Sequence, residues 1–245
     1  FNLGDKFDTS NVTNMNGMFM TTGATAMTSL DLGDKFDTSN VTDMGSMFES
    51  TGYTAMTSLD LGDKFDTSNV TDMNNMFNAT GYIAMTSLDL GDKFDTSKVT
   101  DMRNMFSSTG YRALTSLDLG DKFDTSNVTN MTEMFASTGS TAMTNLDLGP
   151  AFTKLIDALT FEETGKQDEI VIQAPEAIYQ DSTHLKLNTN STSTIEFTRG
   201  TINPKYRTEW VKETVQTNKT DANNPKLNIT LRGTTNTEVA GDEYI

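Results

Sequence analysis

Residues 59–77 read LDLGDKFDTSNVTDMNNMF, and this stretch decides the fold because it returns. The segment LGDKF starts at Leu3, Leu32, Leu61, Leu90 and Leu119, a constant step of 29 residues, and a sixth start at Leu148 degenerates to LGPAF. Five units therefore occupy residues 3–147. A fixed period of roughly 20–29 residues with Leu-x-Leu at one place in each unit is the mark of a leucine-rich-repeat solenoid, in which every copy is one turn stacked on the last. No single unit buries enough apolar surface to offset the entropy of ordering its backbone, so neighbours must cover one another.

Within a unit, the alternation Leu30, Asp31, Leu32 is that of a strand with one face buried, and such strands stack in parallel about 4.8 Å apart. Val41, Met44, Met47 and Phe48 recur at i, i+3, i+6 and i+7, with Ser39 and Asn40 ahead of them as N-caps. This spacing predicts a short helix or helical turn on the opposite wall. Gly52, in Thr-Gly-Tyr, marks the turn back to the next strand. The expected fold is an α/β repeat: a right-handed leucine-rich-repeat solenoid over residues 1–149, with parallel strands on one face and short helical turns on the other, then a β-rich C-terminal cap over residues 150–245.

The boundary comes from composition. All 15 Met lie within residues 1–149, which makes a Met-rich core, whereas Pro150, Pro175, Pro204 and Pro225 are the only prolines. Beyond it, residues 153–164 predict a short helix, and EIVIQA, HLKLN, TIEFTRG and LNITLRG predict strands, with residues 218–224 as a mobile polar loop.

Charge and composition exclude whole classes of function. With 18 Lys and Arg against 34 Asp and Glu, the formal charge is −16, which argues against nucleic acid and against an anionic membrane surface. Zero Cys and the lone His184 remove disulfide scaffolds, thiolate zinc sites, cysteine nucleophiles and His-based metal or acid–base clusters. A hydrophobic share of 35% suits a thin, elongated core. No apolar run approaches the roughly 18 residues of a membrane span, so direct membrane insertion is not expected. The chain opens on Phe1, and FNLGDKF is a variant of LDLGDKF, which suggests a fragment or processed form of a longer array.

The repeat resembles the signature of the BspA-like leucine-rich repeat surface proteins of Gram-positive bacteria and mycoplasmas, whose units read like LDLxxFDTSNVTDMxxMF. The likeness covers residues 3 to about 152 and does not extend over residues 153–245. It implies an extracellular, surface-anchored protein whose solenoid takes part in adhesion, with no catalytic activity attributed to the repeats. It also implies a second short strand in the Val-x-x-Met stretch, ahead of the Met-Phe helix. The unit here exceeds the family's commoner length, the extra residues falling around TGYTAMTS, so that edge should protrude.

Stacking turns each offset into a column. Asp31, Asp60, Asp89, Asp118 and Asp147 form an acidic ladder on the strand face, where like charges side by side repel. Two answers are open: compensation by the column Lys6, Lys35, Lys64, Lys93 and Lys122, or calcium held by carboxylate and carbonyl oxygens, the one cofactor considered. Asp34 with Asp37, and their copies Asp63 with Asp66 and Asp92 with Asp95, bracket the next turn, where Asp37 caps through an Asx hydrogen bond. Tyr53, Tyr82 and Tyr111 make either a contact stripe for protein or carbohydrate, or rings lying flat on one another to close the core edge. The Asn-Val-Thr triplets at Asn11, Asn40, Asn69 and Asn127 read as turn and capping residues, although the same triplet is a glycosylation acceptor in eukaryotic secretory proteins. The acids repeat with the fold instead of forming one unique constellation, and Glu162, Glu163, His184 and Trp210 show no recognisable spacing, so no enzyme is expected. The expected function is a non-catalytic bacterial cell-surface binding module, using Tyr53, Tyr82, Tyr111 and the Asp31, Asp60, Asp89 and Asp118 ladder on a host or matrix protein or glycan. The alternative is a structural, calcium-stiffened stalk.

Overall fold

The computed structural model describes residues 1–4, 6–33, 35–62, 64–154 and 164–165, together with strands lying between residues 169 and 238. The expected helix over 153–164 and the loop over 218–224 lie for the most part outside the described residues, as do Asp5, Asp34 and Asp63.

The repeats stack as coils of a solenoid built on short parallel strands. The coils are numbered from their Ser-Leu-Asp strands: coil one ends at Thr28, and coils two to six begin at Ser29, Ser58, Ser87, Ser116 and Asn145. Four of these strands are β1 (Ser58–Asp60), β2 (Ser87–Asp89), β3 (Ser116–Asp118) and β4 (Asn145–Asp147). In β1 to β3 the central Leu is buried and its neighbours are exposed, as period-two alternation requires. β1 pairs in parallel with β2 and β3 with β4, and each residue faces its own copy, as Leu59 faces Leu88. A second wall runs beside it through parallel bridges from Asn14 to Asp43, Asp72, Asp101 and Asn130. These isolated bridges stand where a second short strand was expected in the Val-x-x-Met stretch.

The helical wall is absent, and among the described residues none is helical. Val41, Met44, Met47 and Phe48 are fully buried, so their spacing does mark an inward face. The backbone that carries them is different. Ser46 and Ser50 sit at φ 54° and 55°, and the same offsets are left-handed at Asn75, Ala79, Asn104, Ser108, Glu133 and Ser137. A left-handed residue every fourth position breaks the helical hydrogen-bond ladder. Met47 N instead closes a turn on Met44 O at 3.2 Å, while Ser46 N, Phe48 N and Ser50 N reach the next coil at Asn74 O, Met76 O and Asn78 O, at 2.7, 2.9 and 2.8 Å. Alternate amides thus serve the turn and the stack, which leaves no helix for Ser39 and Asn40 to cap. Gly52, at φ 56°, completes this wall; a Cβ there would collide with the Met56 side chain.

The core is a set of columns. Phe19, Phe48, Phe77, Phe106 and Phe135 stack face to face at 5.4 to 5.8 Å between centroids. A second column, Phe7, Phe36, Phe65, Phe94, Phe123 and Phe152, leans against the first. Two buried threonine columns satisfy carbonyls that the walls leave over. Thr38 Oγ1 donates to Asp66 O in the next coil at 2.8 Å, and Thr80 Oγ1 donates to Phe48 O in the previous one at 2.6 Å.

The stack outlasts the legible repeat. Thr164 Oγ1 donates to Phe135 O at 2.7 Å and Gly165 N to Thr138 O at 2.8 Å, which are the bonds that Thr138 and Gly139 make one coil earlier. β5 (Glu169–Pro175) then pairs in parallel with β4, Leu146 facing Ile172. Thereafter come β6 (His184–Lys186), β7 (Thr194–Glu196), β8 (Tyr206–Arg207), β9 (Trp210–Asn218), β10 (Lys226–Gly233) and β11 (Thr237–Glu238). β5 continues the sheet of β3 and β4, and β10 and β9 follow it as antiparallel neighbours, while β6 pairs with β7 and β8 with β11. All four predicted C-terminal strands are present in part or whole; β8, β9 and β11 were not predicted.

Candidate binding surface

The acidic ladder is anchored from behind. In each coil the aspartate of the strand accepts the amide of the glycine two residues on: Gly33 N to Asp31 Oδ1 at 2.9 Å, Gly62 N to Asp60 at 2.8 Å, Gly91 N to Asp89 at 2.9 Å and Gly120 N to Asp118 at 2.8 Å. One carboxylate oxygen therefore closes the turn after the strand. Asp31, Asp60, Asp89 and Asp118 are exposed, whereas Asp147 is buried at the junction with β5.

The lysine column leans towards a different set of acids. Asp8, Asp37 and Asp66 share a cleft with Lys35, Lys64, Lys93, Ser10 and Ser39. Hydrogen bonds from the amide and hydroxyl of Ser10 hold the Asp8 carboxyl below its ordinary value, and Lys35 adds to this. Ser39 does the same for Asp37, with smaller pulls from Lys64 and Lys93. At Asp66 burial is the largest single influence and pushes upward, but the hydroxyl and amide of Ser68 and the charge of Lys93 together outweigh it, leaving the carboxyl lowered. The Asx turn expected at Asp37 is present, with Ser39 N at 2.9 Å.

The tyrosines are brought together as a stack. Tyr53 and Tyr82 lie 4.7 Å apart and 3° from parallel, and Tyr82 and Tyr111 lie 4.7 Å apart at 5°. Both faces of Tyr82 are thus covered by its neighbours, and all three rings are half-buried. The Asn-Val-Thr asparagines act across coils: Asn40 Nδ2 donates to Ser10 O at 2.7 Å and Asn69 Nδ2 to Ser39 O at 2.8 Å. Lys98, which replaces the asparagine in its unit, donates to Asn69 Oδ1 at 2.7 Å.

A column that the sequence reading passed over is Asp43, Asp72 and Asp101 on the second wall, half-buried and bracketed by Asn14 and Asn130. Asn14 Nδ2 donates to Asp43 Oδ2 at 3.1 Å, so an amide ends the row of charge at one edge. The signal was present in VTDM, whose aspartate becomes asparagine only in the first and last units. Among the described residues no group of three or more carboxylate or histidine side chains converges as a metal cage.

Along the strand wall the coils associate in twos. Leu3 N bonds Asp31 O at 3.1 Å, Leu119 N bonds Asp147 O at 3.0 Å and β1 pairs with β2, whereas no such bond joins Leu32 to Asp60, Leu61 to Asp89 or Leu90 to Asp118. A Cβ on Gly33 would lie 3.1 Å from Gly4 O and one on Gly91 3.4 Å from Gly62 O, whereas Gly62 and Gly120 have nothing within 4 Å. Coils one and two, three and four, and five and six therefore sit closest, and gaps open between the pairs, the first still crossed at the start of the strands by Thr57 N to Thr28 O at 3.1 Å. The second wall stays closed across both gaps, with Met44 N bonding Asp72 O at 3.0 Å and Met102 N bonding Asn130 O at 2.9 Å.

No curated protein and no solved structure matches the chain. A family model does, in two overlapping stretches, residues 2–83 and 53–149, which together take in every coil of the legible repeat. By that match the chain belongs to the repeat family described as "Mycoplasma protein of unknown function, DUF285".

Proposed function

We propose that the chain is a non-catalytic binding module of an extracellular, BspA-like surface protein, acting in adhesion through an extended solenoid face. The reading rests on one observation: the same exposed side chains recur along the strand wall of coils two to five, as in Asp60 facing Asp89 in exact copy register. A surface of that kind suits many weak contacts with a protein or glycan partner better than chemistry at one point. On this reading the coils follow the right-handed leucine-rich-repeat pattern, and β5, β10 and β9 cap the sheet by covering an edge that would otherwise invite pairing with other chains.

The stalk is the second reading, favoured by the phenylalanine and threonine columns that tie every coil to the next. The test is binding of the purified chain to immobilised matrix proteins, mucin and glycans at two salt concentrations, with and without calcium. Saturable binding to one ligand supports adhesion; its absence across the panel leaves the stalk.

A further inference from the structure

The turn wall, whose left-handed residues stand in place of the expected helix, differs in charge from the rest of the solenoid. Outward pairs alternate along it with inward ones. On coil four Arg103 and Asn104, Ser107 and Ser108, and Tyr111 and Arg112 are exposed or half-buried, while the residues between these pairs are buried. At the outward offsets of coils one to five the acids are Glu49 and Glu133, whereas the described aspartate columns run on the other walls. Arg103 and Arg112 are the only arginines in residues 1–149. Residues 90–118 consequently balance Lys93, Lys98, Arg103 and Arg112 against Asp92, Asp95, Asp101 and Asp118, whereas residues 61–89 set Lys64 against Asp63, Asp66, Asp72 and Asp89. Both arginines are exposed, and among the described residues neither guanidinium is hydrogen-bonded or ion-paired. In a chain with an excess of carboxylates, two unpaired guanidinium groups on a wall nearly free of acid stand open to an anion from outside.

We propose that this row of coil four binds a linear glycan whose carboxylates are widely spaced, as in a chain of alternating uronate and neutral sugars. The inference rests on the adhesion reading and names the chemistry of its partner. A guanidinium takes a carboxylate through two parallel N–H···O bonds, which an ammonium cannot reproduce. Between the arginines lie Ser107, Ser108 and Tyr111, and one coil earlier Asn78 holds the same offset as Ser107. Hydroxyl and amide groups of this kind donate to and accept from the hydroxyls of a neutral sugar. The aspartate columns on the neighbouring walls, in a chain of charge −16, repel a densely charged polyanion, so the partner's charges must be sparse. Two anchors on one row let a single glycan engage both, so that the second contact is made at high effective concentration.

The experiment is fluorescence anisotropy of a labelled oligosaccharide of alternating glucuronate and N-acetylglucosamine at physiological salt. It compares the intact chain, an Arg103→Gln/Arg112→Gln double variant, and a Lys6→Gln/Lys122→Gln double that removes equal charge from the lysine column. Expected is saturable binding, weakened about tenfold or more by the first double and less than about twofold by the second. The same oligosaccharide with its carboxylates reduced to alcohols should not bind. Glu133→Gln, which removes the carboxylate one coil along from Asn104, should tighten binding, a gain that no loss of fold can produce. Equal losses from the two doubles, binding that survives carboxylate reduction, no gain from Glu133→Gln, or no saturable binding would each overturn the row, the first by reducing the effect to general attraction. Running the matrix panel on the intact chain separates the two readings: saturable binding of another ligand with failed oligosaccharide binding discards the row and leaves adhesion standing, while failure of both removes adhesion as well.

Discussion

The amide of Gly4 donates to Oδ1 of Asn2 at 2.6 Å, and one coil later Gly33 makes the same bond to Asp31 at 2.9 Å. An amide and a carboxylate close the same turn, so the turn needs the oxygen and not the charge. Asp60→Asn should therefore leave stability within about 0.5 kcal/mol, whereas Asp60→Ala, which strands Gly62 N, should cost about 1 kcal/mol. Urea unfolding of both variants measures this. Equal losses would show that charge at this offset stabilises the coil, contrary to the Asn2 precedent.

Ala79 occupies the left-handed region at φ 53°. In a helix, Ala→Gly destabilises by about 1 kcal/mol. Here the methyl is strained, and Ala79→Gly should stabilise by about 0.5–1 kcal/mol. The sign of the change in unfolding free energy therefore distinguishes the turn wall from the helix that periodicity suggests.

Much of the stack was legible because repetition fixes it. The 29-residue step put Leu59 opposite Leu88 and Tyr53 beside Tyr82, and both are found there. What periodicity could not give was backbone handedness. Val41, Met44, Met47 and Phe48 point inward as a helix would place them, yet Ser46 and Ser50 turn their amides sideways into the next coil. Serine, threonine, alanine and glutamate at those offsets carry no composition signal for a left-handed backbone; Gly17, Asn75 and Asn104 do, but they fall in only one of the two columns. The later part of the sixth coil, beyond the degenerate start at Leu148, was hidden for a similar reason. Thr164 and Gly165 keep its hydrogen bonds after the surrounding sequence has changed, and only the fold reveals that these two residues are the repeat's Thr-Gly. The grouping of coils was invisible too, because units with the same strand sequence are drawn together in twos only once stacked.

The tyrosine stack separates ring from rim. Tyr82 has partners on both faces at 4.7 Å, whereas Tyr53 and Tyr111 each have one tyrosine neighbour. With about 0.5–1.5 kcal/mol per aromatic pair beyond area burial, Tyr82→Ala should cost roughly twice what Tyr53→Ala costs. Thermal unfolding of the two single variants and the triple variant checks this. Equal and negligible losses would return the rings to a solvent-facing contact stripe.

Acid should loosen the lysine-facing wall. Asp8, Asp37 and Asp66 all have carboxyl pKa values lowered from the ordinary 3.8, chiefly through serine hydrogen bonds, with burial opposing at Asp66. A group lowered on folding adds stability that is full above its unfolded value and is lost as pH falls through its folded one. Unfolding temperature should therefore hold at neutral pH and fall steadily between about pH 5 and pH 1. Asp66→Asn, which keeps an oxygen for the Ser68 turn but cannot titrate, should flatten that slope and lower stability at neutral pH. Asp72→Asn removes equal charge on the second wall, and a matching flattening there would assign the acid loss to net charge instead of to the serine-bonded carboxylates.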